Sequence, residues 1–283
     1  MVGASEAPTG LTIIGDPVAS SLSPVFQQAA LDALGIAVKY GRTRAVTSEV
    51  PDVLEWIRRE RMGANVTMPH KALVASLVDV LTPRAARAGA VNTVWVEGTA
   101  LVGHNTDVDG IVSTVQHLFP QGVCGSVLVL GAGGSAAAIL LALEHLGVRD
   151  TVLLARRRAQ AEALIDRVGG TASAATLPQD VKDWSRTCDA LSVAPALVIN
   201  ATPIGMADAQ MPVPLDVLAE RQIACFDLVY RPEETAWVRS ARAKGLLAED
   251  GLRMLIGQGA AAFTCWFNQP APVDVMWNAV GRR

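Results

Sequence analysis

The segment Asn65-Val66-Thr67-Met68-Pro69-His70-Lys71 sets polar side chains between two apolar stretches. Pro69 lacks a backbone donor and biases Met68 away from helix, so the segment reads as a strand end or turn. A helix-like run, Ala72–Leu81, begins directly after Lys71. A lysine at a strand-to-helix handover is placed to meet a ligand, and partial desolvation makes an ammonium group usable for proton transfer. The ordinary alternative is a solvated turn lysine.

A second constellation lies further along. Val127-Leu128-Val129-Leu130 runs into Gly131-Ala132-Gly133-Gly134-Ser135-Ala136. This fits GxGxxG/A between a strand and a helix, the context that dinucleotide binding requires. Gly131 permits the tight turn, Gly133 lets the backbone approach a pyrophosphate, and Ala136 permits close helix–strand packing. The helix N-terminus then offers free N–H groups to the anion. An NAD site would place an acid about 20 residues on. Here Thr151–Ala155 ends in Arg156-Arg157-Arg158. Guanidinium groups pair with phosphate, so the cofactor expected is NADP(H), with Arg156 the first contact. The alternative is a solvated basic helix start, which the helix dipole disfavours.

Alternating strands and helices are needed to position these groups. Leu11–Gly15, Val38–Arg44 and Gly63–Thr67 read as strands. Between them fall a helix from Pro24, with Ser23 as its N-cap, to about Leu34, and a helix Glu49–Arg61. Ala90–Val96 and Leu101–Gly103 read as strands joined at Glu97-Gly98, followed by a helix Val108–Leu118. Gly125–Gly131, Thr151–Ala155, Ala196–Asn200 and Ile223–Leu228 are further apolar strands, with a helix from the glycine loop to about Leu146. The class is α/β with a mainly parallel sheet first and a doubly wound nucleotide fold second, divided near Asp107–Gly110.

The 283 residues allow two cores; 51% are hydrophobic, 18% are charged, and the net charge is -3. That balance argues against a nucleic-acid partner. No uncharged stretch is long enough to span a bilayer, and Met1–Thr9 reads as a loose start without signal-peptide features, so the expected location is cytoplasmic. Cys124, Cys188, Cys225 and Cys265 lack CxxC spacing and read as buried free thiols. His70, His104, His117 and His145 lack ligand spacing, so no metal site is expected. His70 and His104 adjoin polar motifs and either line a site or pack. Trp266 and Phe267 read as core.

Taken together, these segments resemble the shikimate dehydrogenase family from Gly15 to about Phe267. Ser21-Leu22-Ser23-Pro24 is similar to its SxSP loop, and Asn65–Lys71 to its NVTxPxK motif. Ala90-Val91-Asn92-Thr93 matches AVNT, and Gly103-His104-Asn105-Thr106-Asp107 matches GxNTD. Asn200-Ala201-Thr202-Pro203-Ile204-Gly205-Met206, Asp227-Leu228-Val229-Tyr230 and Gly251-Leu252-Arg253-Met254-Leu255 with Gln258 follow in order.

The resemblance implies reversible, NADPH-dependent reduction of 3-dehydroshikimate to shikimate, a step of chorismate and aromatic amino-acid biosynthesis. It also implies a substrate domain (1–106 and 252–283), a Rossmann domain (107–251) and C-terminal helices that return to the first domain. Lys71 and Asp107 would form the catalytic pair. Ser21, Ser23, Thr67, Asn92, Tyr230 and Gln258 would bind substrate. Thr202, Leu228 and Gly251 would join Gly131–Ala136, Arg156 and Arg157 at the cofactor. The only partner implied is the small-molecule substrate, with the protein a monomer or homodimer. The chain departs from the family pattern at Ser20-Ser21 (often His-Ser), Gln27-Gln28 (often His-Asn) and Ala155-Arg156-Arg157 (usually Asn-Arg-Thr/Ser). Quinate or amino-shikimate oxidation, with NAD as an alternative cofactor, is the neighbouring possibility.

Overall fold

Leu11–Gly15, Ser126–Leu130 and Thr151–Ala155 carry apolar residues without polar alternation, and each is buried at every position. Such runs suit interior strands of sheets covered on both faces. The computed structural model describes residues 8–281, which divide into two units. One extends to Gly110 and resumes at Leu255; the other is Ile111–Met254.

The first unit holds β1 (Leu11–Gly15), β2 (Tyr40–Arg44), β3 (Gly63–Val66), β4 (Val80–Leu81), β5 (Thr93–Glu97) and β6 (Ala100–His104), in the order β2-β1-β3-β5-β6-β4. Only β5 runs antiparallel to its neighbours. Gly98, at φ 61°, makes the tight turn of the β5–β6 hairpin. The helices are α1 (Ser23–Ala33), α2 (Val50–Arg59), α3 (Lys71–Leu77), α4 (Pro83–Ala88) and the start of α5 (Asp107–Leu118). Successive strand residues face opposite sides of the sheet. Ile13 therefore joins Phe26, Leu31, Tyr40 and Trp266 in one core, while Ile14 joins Ile57, Val74, Val91 and Leu101 in another. The Trp266 indole N–H donates to the Val94 carbonyl at 3.0 Å.

Two expectations are corrected here. The run Ala72–Leu81 is not one helix. α3 stops at Leu77, Val78 is extended (ψ 152°), and Val80–Leu81 pair with Val102–Gly103. The Asp79 carboxylate fixes that change by accepting from the Leu101 N–H at 2.6 Å and pairing with Arg58 at 2.5 Å. Ser23 is the first helical residue, not the N-cap. Leu22 holds the cap position, and the Ser21 hydroxyl accepts from the Ser23 N–H at 3.2 Å. The loose start expected for Met1–Thr9 lies mostly outside the described residues; within them, the Thr9 N–H donates to the Arg61 carbonyl.

The second unit holds β7 (Ser126–Leu130), β8 (Thr151–Ala155), β9 (Ser173–Thr176), β10 (Pro195–Asn200), β11 (Ala224–Asp227) and β12 (Ala248–Glu249). They are all parallel, in the order β12-β11-β10-β7-β8-β9. This is the doubly wound Rossmann arrangement, with the order reversing between β7 and β10, where ligands of such sheets bind. The helices are α6 (Gly134–His145), α7 (Arg158–Val168), α8 (Val181–Asp189), α9 (Leu215–Arg221) and α10 (Ala236–Ala243). Residues 136–143 of α6 are buried on all sides. α11 (Gly251–Phe267) begins in this unit and ends in the first, where α12 (Val273–Ala279) follows.

All four cysteines are free. Burial pushes the thiols of Cys225 and Cys265 up to about 12 and about 11. Cys124, contrary to expectation, is exposed, because it lies in the loop before β7.

Candidate active site

Lys71 opens α3 after a loop whose Met68-Pro69 bond is cis. The Thr67 N–H donates to the Ile14 carbonyl at 2.8 Å, tying the loop to β1. Gly15 makes room beside it, since a Cβ there would overlap the Thr67 methyl. The Lys71 carbonyl accepts from the Val91 N–H at 2.9 Å. Its side chain then reaches Asp107, with Nζ 2.5 Å from Oδ2. The Asp107 side chain is only 5% exposed and that of Lys71 24%.

Asp107 opens α5 and is held at its second oxygen, Oδ1, by Asn92 Nδ2 at 2.8 Å. The same amide nitrogen lies 3.3 Å from Gln258 Oε1, while the Asn92 Oδ1 accepts from the Thr106 N–H at 2.7 Å. Gln258 in turn donates to the Leu255 carbonyl. Asn105 braces the turn: its Nδ2 donates to the Ala90 carbonyl and its Oδ1 accepts from the Asp107 N–H. The polar groups of this buried cluster are therefore paired, as low-dielectric surroundings demand.

The cluster extends through residues not anticipated as site members. Asn65 Nδ2 donates to the Asn92 carbonyl and the Thr93 hydroxyl, both at 3.2 Å. The Tyr40 hydroxyl donates to Asn65 Oδ1 at 2.7 Å. Burial raises Tyr40 well above an ordinary phenol, opposed by the Ser23 hydroxyl and the charge of Arg42. Tyr40, with Ser23 near it, is thus linked to Lys71 through Asn65, Asn92 and Asp107. Thr67 is half-buried, and its backbone bonds go to Ile14 and His70 rather than to this cluster.

His70 and His104 both pack. His70 is 1% exposed, with Nε2 2.7 Å from the Ala45 carbonyl. His104 contacts the Thr82 hydroxyl through Nδ1 at 2.7 Å, and burial holds it below an ordinary imidazole. Its backbone carbonyl accepts from the Asn92 N–H.

In the second unit the chain leaves β7 through Gly131, at φ 98°. A Cβ there would sit 3.1 Å from the Ala201 carbonyl oxygen, so both conformation and space call for glycine. Gly133 takes the N-cap position of α6, and a Cβ on it would meet open space. A cavity of about 680 Å³ opens here, lined among others by Gly131, Gly133, Arg156, Arg157, Thr202 and Ile204. Arg156 is exposed and makes no hydrogen bond or ion pair among the described residues. Arg157 contacts Gln160 Oε1 at 3.3 Å, and Arg158 pairs with Glu162. Open space at Gly133, free N–H groups at the start of α6 and an unengaged guanidinium fit an anionic dinucleotide. Ala132, Gly134 and Ser135 lie in the same loop and first turn, and Ala136 is fully buried against the sheet.

Thr202 is fixed by Asn200, whose Oδ1 accepts from the Thr202 N–H at 3.0 Å and its hydroxyl at 2.6 Å. Asn200 Nδ2 donates to Asp227 Oδ1 at 2.8 Å. Burial pushes the Asp227 carboxyl up to about 6, against the hydrogen bonds from Asn200 and the Val229 N–H; the charge of Asp250 adds to the rise. Gly251 touches the loop after β11, because a Cβ on it would overlap the Leu228 carbonyl. Tyr230, half-buried in the same loop, belongs to this second unit, and burial raises its hydroxyl.

Comparison with known proteins decides the family. Residues 13–94 match the model of the shikimate dehydrogenase substrate binding domain, and residues 251–280 that of the shikimate 5'-dehydrogenase C-terminal domain. The NADP(+) shikimate dehydrogenase of Symbiobacterium thermophilum is 38% identical over 274 residues, covering 95% of this chain and 92% of that protein. The chain belongs to the shikimate dehydrogenase family. The family's enzyme from Thermus thermophilus, solved with NADP(H) and shikimate, superposes with TM-score 0.83 at 33% identity, over 96% of this chain and 98% of that one. Quinate dehydrogenase from Corynebacterium glutamicum, solved with NAD, gives TM-score 0.85 at 28% identity, over 97% and 99%.

Among the residues that the family resemblance singles out, the structure brings Lys71, Asp107, Asn92 and Gln258 into one hydrogen-bonded cluster. Ser23 lies at the edge of this cluster, near Tyr40, and the Ser21 hydroxyl accepts from the Ser23 N–H. Reading the sequence missed Tyr40, Asn65, Thr93 and Thr106 as members. For Asn65 and Thr93 a polar side chain beside apolar strand residues was a usable signal, because a buried amide or hydroxyl needs partners. Among the described residues no cluster of three metal-ligating side chains occurs, and no helix is long and apolar enough to cross a membrane.

Proposed function

We propose that the protein interconverts 3-dehydroshikimate and shikimate with NADP(H), acting at the shikimate step of aromatic amino-acid biosynthesis. The observation that carries this reading is the Lys71–Asp107 contact at 2.5 Å, with Asn92 holding the other carboxylate oxygen. Such a pair suits proton transfer to or from a carbonyl or hydroxyl oxygen. A nucleotide-binding protein without turnover needs a glycine loop but no such pair.

Bound NADPH would supply the hydride to the ketone carbon. Lys71 Nζ gives its proton to the carbonyl oxygen in reduction and takes the hydroxyl proton in oxidation. Asp107 Oδ2 holds the ammonium in position, and Asn92 keeps that carboxylate from rotating away. Ser21 and Ser23 offer hydroxyls to the substrate carboxylate, while Thr67, Asn92, Tyr230 and Gln258 bond the ring hydroxyls and carboxylate. The substrate domain is the unit carrying Lys71, and the cofactor domain the unit carrying Gly131. Gly131–Ala136 and Thr202 would cradle the phosphates, Arg156 and Arg157 would take the 2′-phosphate, and Leu228 and Gly251 would line the nicotinamide end. The substrate and cofactor are small molecules, the setting is cytoplasmic, and the protein acts as a monomer or homodimer.

The second reading, oxidation of quinate or amino-shikimate with NAD, is favoured by the likeness to quinate dehydrogenase. The unengaged Arg156 speaks for NADP(H) instead. Steady-state oxidation of shikimate, quinate and amino-shikimate, each with NADP+ and NAD+, separates the two. A higher kcat/KM for shikimate with NADP+ supports the first reading, and a higher value for quinate with NAD+ overturns it.

A further inference from the structure

Ser21 and Ser23 can donate hydrogen bonds to a carboxylate, but neither carries charge. An acid drawn out of water onto two neutral hydroxyls loses hydration that they only partly replace. β2 supplies what is missing. Tyr40, Arg42 and Arg44 lie on one face of this edge strand, since side chains alternate along it. Tyr40 stands beside the Ser23 hydroxyl, and the positive charge of Arg42 is close enough to act on the Tyr40 oxygen. Arg42 Nη2 donates to the Ser21 backbone carbonyl at 3.0 Å, which fixes the guanidinium at the loop that carries the serines.

The neighbouring charges leave Arg42 available. Asp16 is engaged by Arg44 at 2.8 Å, so Arg44 offsets that acid. Arg42 makes no ion pair among the described residues. A guanidinium has five N–H donors in a planar fork, and the bond to Ser21 uses one. The rest suit a carboxylate, and β2 itself is held in register by β1.

We infer that Arg42 is the charge partner of the substrate carboxylate and makes the protein select ring acids over neutral polyols. This rests on the proposed function and adds a residue that determines its specificity. The electrostatic contribution is screened by salt, because the side chain is exposed.

The test compares wild type, Arg42→Gln and Arg42→Lys with shikimate and with its uncharged methyl ester, the ester read as substrate or competitive inhibitor. Glutamine retains an N–H for the Ser21 carbonyl and removes only the charge. The expected result is a shikimate KM about tenfold higher in Arg42→Gln, with kcat within about twofold. The KM for NADP+ and the ester's KM or inhibition constant stay unchanged, and Arg42→Lys recovers most of the loss. In wild type kcat/KM for shikimate falls as salt rises; in Arg42→Gln it is nearly flat. A wild type active on shikimate whose Arg42→Gln variant is unchanged, or weakened equally for acid and ester, overturns this inference alone. A wild type that turns over no shikimate overturns the proposed function and this inference with it.

Discussion

Around Lys71 and Asp107 the polar groups are side chains buried against one another, whereas around Gly131 they are backbone groups and arginines turned to solvent. Asn92, Asn65, Thr106 and Asp107 are, as whole residues, at most 3% exposed and joined by hydrogen bonds of 2.7–3.2 Å. Gly133, Gly134, Arg156 and Arg157 are exposed. The first arrangement holds an ionised pair rigidly, which proton transfer requires. The second leaves donors uncommitted, which suits a large anion arriving from solution. Substitutions should therefore act on rate in the first region and on affinity in the second.

The sharpest break is Lys71→Ala. It should lower kcat by at least about 10²-fold, the usual scale of acid–base catalysis, and leave NADPH affinity, read by fluorescence titration, nearly unchanged. Turnover near wild type would remove Lys71 from the mechanism.

Asp227 is the exception that sharpens the contrast, being a buried acid in the unit that carries the exposed glycine loop. Its folded value near 6 exceeds an unfolded carboxylate's, so the folded protein holds a proton there that the unfolded chain releases. The stabilising contribution is full below about pH 4 and is lost as pH rises through about 6. Asp227→Asn escapes that loss. Its stability relative to wild type should climb by roughly 2–3 kcal/mol between these limits and then level off. Urea unfolding of both proteins from pH 4 to 7.5 measures the difference; a constant gap would place the carboxyl in its ordinary range.

Arg156→Ala should raise the KM for NADP+ at least about tenfold and change that for NAD+ by less than about twofold, as loss of a phosphate contact predicts. Equal effects on both cofactors would move the 2′-phosphate away from Arg156. The smallest effect is expected from Tyr40→Phe. It leaves Asn65 Oδ1 without its donor at a cost of about 1–2 kcal/mol, visible as a lower unfolding midpoint, while kcat stays within about twofold. A large loss of kcat with intact stability would put Tyr40 in the chemistry.

The second unit was the more legible from sequence. Thr151–Ala155 is a strand over those very residues, and the glycine loop stands between the expected strand and helix. Continuous apolar runs and turn glycines are local signals. The first unit hid more. Ala72–Leu81 divides at Val78 because pairing with β6 outweighs the run's helical spacing, and no local pattern reports such a partner. α4 went unread although Thr82, which accepts from the Ala85 N–H, Pro83 and the left-handed Gly89 are its cap signals. β9 and β12 are short edge strands with few apolar residues. Lys71 and Asp107 stood out by motif, but the link from Tyr40 through Asn65 to Asn92 joins positions 25 and 27 residues apart. Only the folded sheet brings these together.

The close approach of Gly251 to Leu228 sets a gauge in the second unit. The first turn of α11 rests on the Leu228 carbonyl without a methyl group's thickness between them. Any larger residue at 251 would act as a shim, lifting the segment after β11 off the helix and drawing the Val229 carbonyl away from the Gly251 N–H it accepts. A dimension of the molecule is thus written in an atom that the chain leaves out.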